Sequence, residues 1–447
     1  MARTRNPIPQ IVPVSMALSP RLTLTVCPTD RFKIGTFSLY AQLPDTPELL
    51  PSAALLLPVL RRGTREYPTQ ELINRHLDDL YAADCRIANA CVGDVRCLGF
   101  VSDLPESRVL PGQMKLLPDI LDLMVQLFFD PLKEENGSLS ARYIEAERKN
   151  LLETLEALIN YPAAYANSRF RAAFMQDRDC GEPLTPARIR ELPTDQLQRL
   201  LENICDHAHF HAFYIGQTPP DEIAALLTEQ LMPRLQTSSG APCGARPRVL
   251  LPRPSVLSVH ETLHAGQSHL LMGYRTPITM GTPEFYAMML CNELLGGSPI
   301  SRLFTQLREK KSLCYSCQSE YLSDRGELIV SCGIDRASRD AAQNEIIEQI
   351  AALQRGEFDS AELEGARALL LGGYTQLDDS TRALASFYRL RYMLGLDQTV
   401  EDCRRAIAAV TAEEVVAAAR SLCCDTVYFL EGTATEEGAD DEYDDAT

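Results

Sequence analysis

The sequence predicts an α+β fold of two homologous lobes, each an antiparallel-rich sheet covered by helices. Two observations carry this expectation. The chain can be laid over itself, because the order strand, helix, paired strands, helices, strand occurs once in each half, and a repeat of that length fixes the architecture. Between the copies lies QTSSGAPCGARPRVLLPRP, whose Pro, Gly and Ser content marks a linker. The expected domains are therefore 1–235, a linker over 236–254, a second lobe over 255–432 and an acidic tail over 433–447.

In the first half, FSLYAQL (37–43) reads as extended, and TQELINRHLDDLY reads as a helix. Its Leu72, Ile73, Leu77, Leu80 and Tyr81 recur at helical spacing. RIANACVG and DVRCLGFVSDL follow as a strand pair with turn residues between them. LLPDILDLMVQLFF and SARYIEAERKNLLETLEAL supply the helices, and TDQLQRLLENIC leads into the strand-like HAHFHAFYIG. The second half repeats this with SHLLMGYRT as the extended stretch and PEFYAMMLCNELL as the helix, where Pro283 suits a first turn. YSCQSEYLSDRGELIVSCGI is the strand pair. DAAQNEIIEQIAAL, SAELEGARALLLGGY and TRALASFYRLRYML are helical, and TAEEVVAAARSL leads to DTVYFLEG. Thr411 with Glu414 fits a capping box.

A net charge of -18 over 447 residues argues against nucleic acid, whose phosphates need a basic surface. Much acidity falls in the tail, where Glu436, Glu437, Asp440, Asp441, Glu442, Asp444 and Asp445 read as a solvated run. No stretch of about 18 apolar residues suggests a membrane span. Pro7, Pro9 and Pro13 break the start of the chain as a signal-peptide core, so a cytoplasmic location is expected. The 14 cysteines, including Cys314 and Cys317, are then expected to be reduced packing thiols.

One segment is more specific. LLGGSPISRLFTQLREKKSLCYS, from Leu294 to Ser316, closely resembles a segment of the pitrilysin/insulinase-type metallopeptidases and the mitochondrial processing peptidases. There a Gly-Gly-Ser turn precedes Ser-Arg-Leu-Phe, then Arg-Glu-Lys and a Tyr. The twofold repeat of that family also covers this chain. The resemblance implies that Arg308 and Tyr315 hold the substrate backbone near a metal, beside Gly296, Gly297 and Ser298. A guanidinium and a phenol are donors able to bond a peptide carbonyl. Read without the resemblance, Arg308 caps a helix end or pairs with a carboxylate. Arg302, Lys310 and Lys311 add a basic strip, and the glycines permit a turn.

The same resemblance calls for H-x-x-E-H on a helix, with two imidazoles for zinc and a carboxylate to activate water. Gly63-Thr64 sets the register, which puts Ala54 and Pro58 at the histidine positions and Leu57 at the glutamate position. None has a donor atom for a cation. The third ligand would be a Glu on a later helix, with Glu145, Glu147, Glu153 and Glu156 as candidates. Two other places could hold metal. His207, His209 and His211 would share one face of a strand, and HETLH at 260–264 satisfies a zinc-protease pattern literally through His260, Glu261 and His264. Both segments read as strands, so no metal is expected on this chain. The resemblance implies a non-catalytic subunit that binds peptide and completes a clam-shell chamber with a zinc-bearing homologue, as a heterodimer, or pairs with itself as a homodimer. The alternatives are a structural scaffold protein and a zinc peptidase working through HETLH.

Overall fold

A computed structural model describes residues 10–176, 183–235 and 244–434. Residues 236–243 of the expected linker, 435–447 of the acidic tail, and Pro7 and Pro9 lie outside that description. The first sheet has six strands: β1 (Val14–Ser19), β2 (Leu22–Pro28), β3 (Ile34–Pro44), β4 (Arg86–Val92), β5 (Val95–Pro105) and β6 (His209–Gly216), in the order β1-β2-β6-β3-β5-β4. The second has five: β7 (Leu257–Leu263), β8 (Ser268–Arg275), β9 (Ser316–Leu322), β10 (Glu327–Ile334) and β11 (Cys423–Gly432), in the order β7-β11-β8-β10-β9. Without β1 the two orders coincide strand for strand. The sense of pairing coincides as well: β2 with β6 and β7 with β11 are parallel, and every following pair is antiparallel. The repeat seen in the sequence is therefore a repeat of topology.

The sequence reading does not anticipate β1, β2, or β7 as a strand separate from β8. The signal for β2 is present in LTLTV, which alternates at period two.

Alternation gives each sheet two different faces. On β3, Phe37, Leu39, Ala41 and Leu43 are buried on one face with Phe100 of β5. The helices Leu49–Leu60, Leu117–Phe129 and Thr194–His207 pack on that side. The other face carries Thr36, Ser38, Tyr40 and Gln42, level in register with Ile215, Phe213, His211 and His209 of β6. The helix Thr381–Met393 covers this more polar face.

In the second sheet the helix Pro162–Met175 takes that place, over β8 and β11. Phe170 and Phe174, one turn apart and stacked at 5.2 Å, enter a core with Leu271, Ile329, Tyr428 and Leu430. Burying each ring contributes ~1.5–3 kcal/mol. Gly273 makes the approach possible, since a Cβ there would lie 2.6 Å from Phe174 Cε2.

The two compact units are discontinuous in sequence. One takes the described residues of Met1–Glu153, Leu184–Arg246 and Thr375–Asp402; the other takes those of Thr154–Pro183, Pro247–Tyr374 and Cys403–Thr447. The boundaries drawn at 235 and 255 follow the repeat along the chain. The covering helices 162–175 and 381–393 each belong to the unit opposite to that placement.

Candidate functional site

The Leu49–Leu60 helix carries the positions where the family's metal set belongs. Ala54 and Pro58, four residues apart, lie partly exposed on one face, and Leu57 is 0% exposed. Pro58 sits inside the helix and has no N–H to offer the Ala54 carbonyl. The carboxylates of the Ala141–Glu156 helix are engaged locally. Glu147 pairs with Arg62, Glu145 with Arg148 at 3.2 Å, and Glu153 with Lys149 at 3.7 Å. Among the described residues no group of three or more His, Cys, Asp or Glu could hold a metal ion. The residues present do not fit the zinc that the fold family implies, and no chemical step is assigned through it.

The histidine run divides. His207 is the last residue of the Thr194–His207 helix, and only His209 and His211 lie on β6, so the expectation of three on one strand face is corrected. The chain leaves the helix at Ala208, which breaks the alternation. Both strand histidines face the polar side of the sheet. His209 Nε2 shares a hydrogen bond with Thr23 Oγ1 (3.0 Å), and His211 Nε2 shares one with Thr25 Oγ1 (3.0 Å). His211 is completely buried, packs tilted against Tyr392 with ring centroids 4.6 Å apart, and its Nδ1 has no hydrogen-bond partner among the described residues. Burial, with His209 and Arg389 adding repulsion, pushes its pKa down to about 3. These are neutral core histidines.

HETLH forms the end of edge strand β7 and the residue beyond it. His260 and Glu261 point to opposite faces: His260 Nε2 meets Glu431 Oε2 at 2.7 Å, while Glu261 accepts from Arg169 and Tyr428. His264 follows the strand. A zinc helix is absent from this segment, and each of the first two side chains has a structural partner.

The Leu294–Ser316 segment has unusual backbone. Glu293–Gly297 and Phe304–Lys310 are π-helical turns, a form concentrated at functional sites. Gly296 is needed for close approach to backbone, whereas Gly297 meets the ends of the Glu293 and Asn292 side chains. A Cβ on Gly296 would lie 2.6 Å from Ser319 N of β9, and one on Gly297 would lie 2.8 Å from Glu293 Oε2. Ser298 Oγ donates to Glu293 O at 3.4 Å. Beyond the second π turn Ser312 lies in the left-handed region at φ 51°, and Leu313 N donates to Leu307 O at 2.8 Å. This reversal separates Arg308 from Tyr315. Both are exposed, Tyr315 at 56%. The Arg308 guanidinium lies 4.9 Å from the Phe304 ring, and Tyr315 Oη donates to Asp335 Oδ1 at 2.7 Å. Asp335, at the exit of β10, is a partner the sequence reading does not single out.

Two residues of the basic strip, Arg302 and Lys311, are used by the fold. Arg302 bonds Gln349, the Glu357 carbonyl and Glu362, and Lys311 pairs with Glu345. One cysteine expectation is corrected here: Cys317 and Cys332, opposite each other in the β9–β10 ladder, are joined as a disulfide. The ladder brings the two thiols together from 15 residues apart, which spacing along the chain does not reveal.

A twofold α+β repeat that keeps an exposed Arg and Tyr on π-helical backbone, yet has no metal-binding side chains at the family's helix, defines a metallopeptidase-like protein without the family's zinc set. The comparisons name the family. Residues 192–370 match the model described as Peptidase M16 inactive domain, a span that includes Arg308 and Tyr315 and begins well after Pro58. Over that span the chain is similar to the M16 family, and its relatives are metalloprotease-like proteins. It is 25% identical to the probable inactive metalloprotease YmfF of Bacillus subtilis, over 94% of this chain and 97% of that one. It is 29% identical to an uncharacterized zinc protease of Mycobacterium tuberculosis, over 68% and 69%. In fold it is similar to a conserved protein from Enterococcus faecalis (TM-score 0.86, 23% identity, 95% and 99% covered). It is also similar to a peptidase M16 inactive domain from Pseudomonas fluorescens (TM-score 0.73, 16% identity, 95% and 99% covered).

Proposed function

We propose that this chain is a non-catalytic, metallopeptidase-like subunit that binds peptide through Arg308 and Tyr315 for a zinc-bearing homologue with which it associates. The observation that carries the reading is a division of roles. Ala54, Leu57 and Pro58 provide nothing for a metal, whereas Arg308 and Tyr315 stand exposed, with the Tyr315 hydroxyl held by Asp335. Guanidinium and phenol donors can bond a peptide carbonyl or the oxyanion formed from it. The relative named probable inactive metalloprotease supports the same reading for a chain matched along almost its whole length. Gly296 contributes by letting the motif backbone lie against β9.

The test is reconstitution. The chain alone leaves an unstructured peptide intact and retains no zinc after dialysis. Mixed with a homologue from the same source that carries H-x-x-E-H, it raises chelator-sensitive cleavage, and Arg308→Ala lowers that gain at least about tenfold without changing the melting temperature. Such a loss corresponds to one charge-assisted hydrogen bond, ~1.4 kcal/mol or more. Chelator-sensitive cleavage by the isolated chain, lost on His260→Ala with His264→Ala, establishes the HETLH peptidase instead.

A further inference from the structure

We propose that a recess beside the Thr381–Met393 helix, on the polar face of the first sheet, is a carboxylate-binding subsite with Arg389 as its principal cation. The recess has a volume of about 190 Å³, and Ser38, Tyr40, Arg86, Arg382, Ser386 and Arg389 are among its walls. That is room for a small molecule and not merely one water.

The case rests on which charges are matched. Arg86 and Arg382 both reach Asp103 Oδ2, Arg86 at 2.9 Å, and Arg86 also pairs with Asp84. Those two carboxylates are further held by Thr36, which donates to Asp103 Oδ1, and by the Asp103 amide, which donates to Asp84 Oδ1. Arg389 is different. Its guanidinium lies 4.8 Å from the Tyr40 ring centroid and donates to Met393 Sδ at 3.6 Å, and among the described residues no carboxylate pairs with it.

The other unit provides an internal comparison. There the helix Pro162–Met175 covers the corresponding face of the second sheet, and its cations are matched within the fold: Arg169 by Glu261, Arg171 by Glu327, and Arg275 by Glu327. The same layer in the first unit presents Arg389 and the Ser38 and Ser386 hydroxyls to an open recess. A planar guanidinium held against a ring presents a pre-oriented fork to a carboxylate, the geometry of strong bidentate pairing. Its hydrocarbon and ring contacts hold it in place without neutralising it. The carboxylate could be a peptide C-terminus or that of a small free acid. Both share this chemistry, and the recess is built from residues of the unit that does not contain Arg308 and Tyr315.

Calorimetric titration of the full chain with succinate, trialanine, trialanine amide and inorganic phosphate tests it. The wild type is expected to bind succinate or trialanine, with trialanine amide at least about tenfold weaker than trialanine, and Arg389→Gln is expected to weaken the bound carboxylate at least about tenfold. Trialanine alone identifies a peptide terminus, and succinate alone a free acid. Arg389→Lys keeps the charge and loses the fork, so it binds at an intermediate level and decides the matter if Arg389→Gln does not fold. No binding by the wild type, equal binding by the Arg389 variants, or phosphate bound more tightly than either carboxylate overturns the proposal.

Discussion

His211 makes stability depend on pH in a way that one substitution isolates. Its folded pKa is near 3, below the ordinary 6.5, because burial, His209 and Arg389 all oppose the imidazolium. In the unfolded chain the same ring takes up a proton as pH falls through 6.5, while the folded protein does not. The unfolded state then binds more protons, so stability contributed by His211 is intact above 6.5 and is lost progressively below it, down to the folded value near 3. Each unit is worth ~1.4 kcal/mol, which gives a loss of ~2 kcal/mol between about pH 7.5 and about pH 5. Carboxylates and His209 also titrate over that range, so the assay is a difference of differences. Urea unfolding of wild type and His211→Gln is compared at both pH values, with Gln chosen because its amide can still bond Thr25 Oγ1. The wild type should lose ~2 kcal/mol more than the variant on acidification. Parallel losses, within ~0.5 kcal/mol, would show that the ring is protonated in the folded state and refute the burial argument.

Two other perturbations test the packing that positions the motifs. Glu327 joins Arg275 (2.5 Å) and Arg171 (2.8 Å) under the Pro162–Met175 helix, and Glu327 and Arg275 are almost fully buried. Glu327→Gln leaves Arg275 without this buried partner and should cost ~3–5 kcal/mol in urea midpoint at constant slope; a change under ~1 kcal/mol would mean that water or Asp425 compensates. Gly296→Ala forces a Cβ against Ser319 N at 2.6 Å and should cost ~1–3 kcal/mol by thermal unfolding; an unchanged melting temperature would show that β9 yields at no cost.

Local pattern along the sequence determined much of this protein. Two copies of strand, helix, paired strands, helices and strand could be read from periodicity, since a repeat need only be compared with itself. That Ala54, Leu57 and Pro58 have no donor atoms was equally legible, because side-chain chemistry does not depend on where a residue sits. Local pattern also placed HETLH on a strand, where histidines four apart do not converge.

Tertiary structure decided the rest, for reasons of contact between distant segments. His207 ends a helix while His209 and His211 face the sheet, because the helix Thr194–His207 runs two residues further than the sequence pattern suggests. Cys317 meets Cys332 only through the register of β9 on β10. Gly296 is required by the approach of β9, and its own φ does not explain it. The helices 162–175 and 381–393 join units that their place in the chain does not indicate, because each sheet has a second face to cover and nothing in a helix's own periodicity names the sheet it will meet. That exchange also brings Arg389 over Tyr40, so the recess proposed to bind a carboxylate exists only in the folded chain.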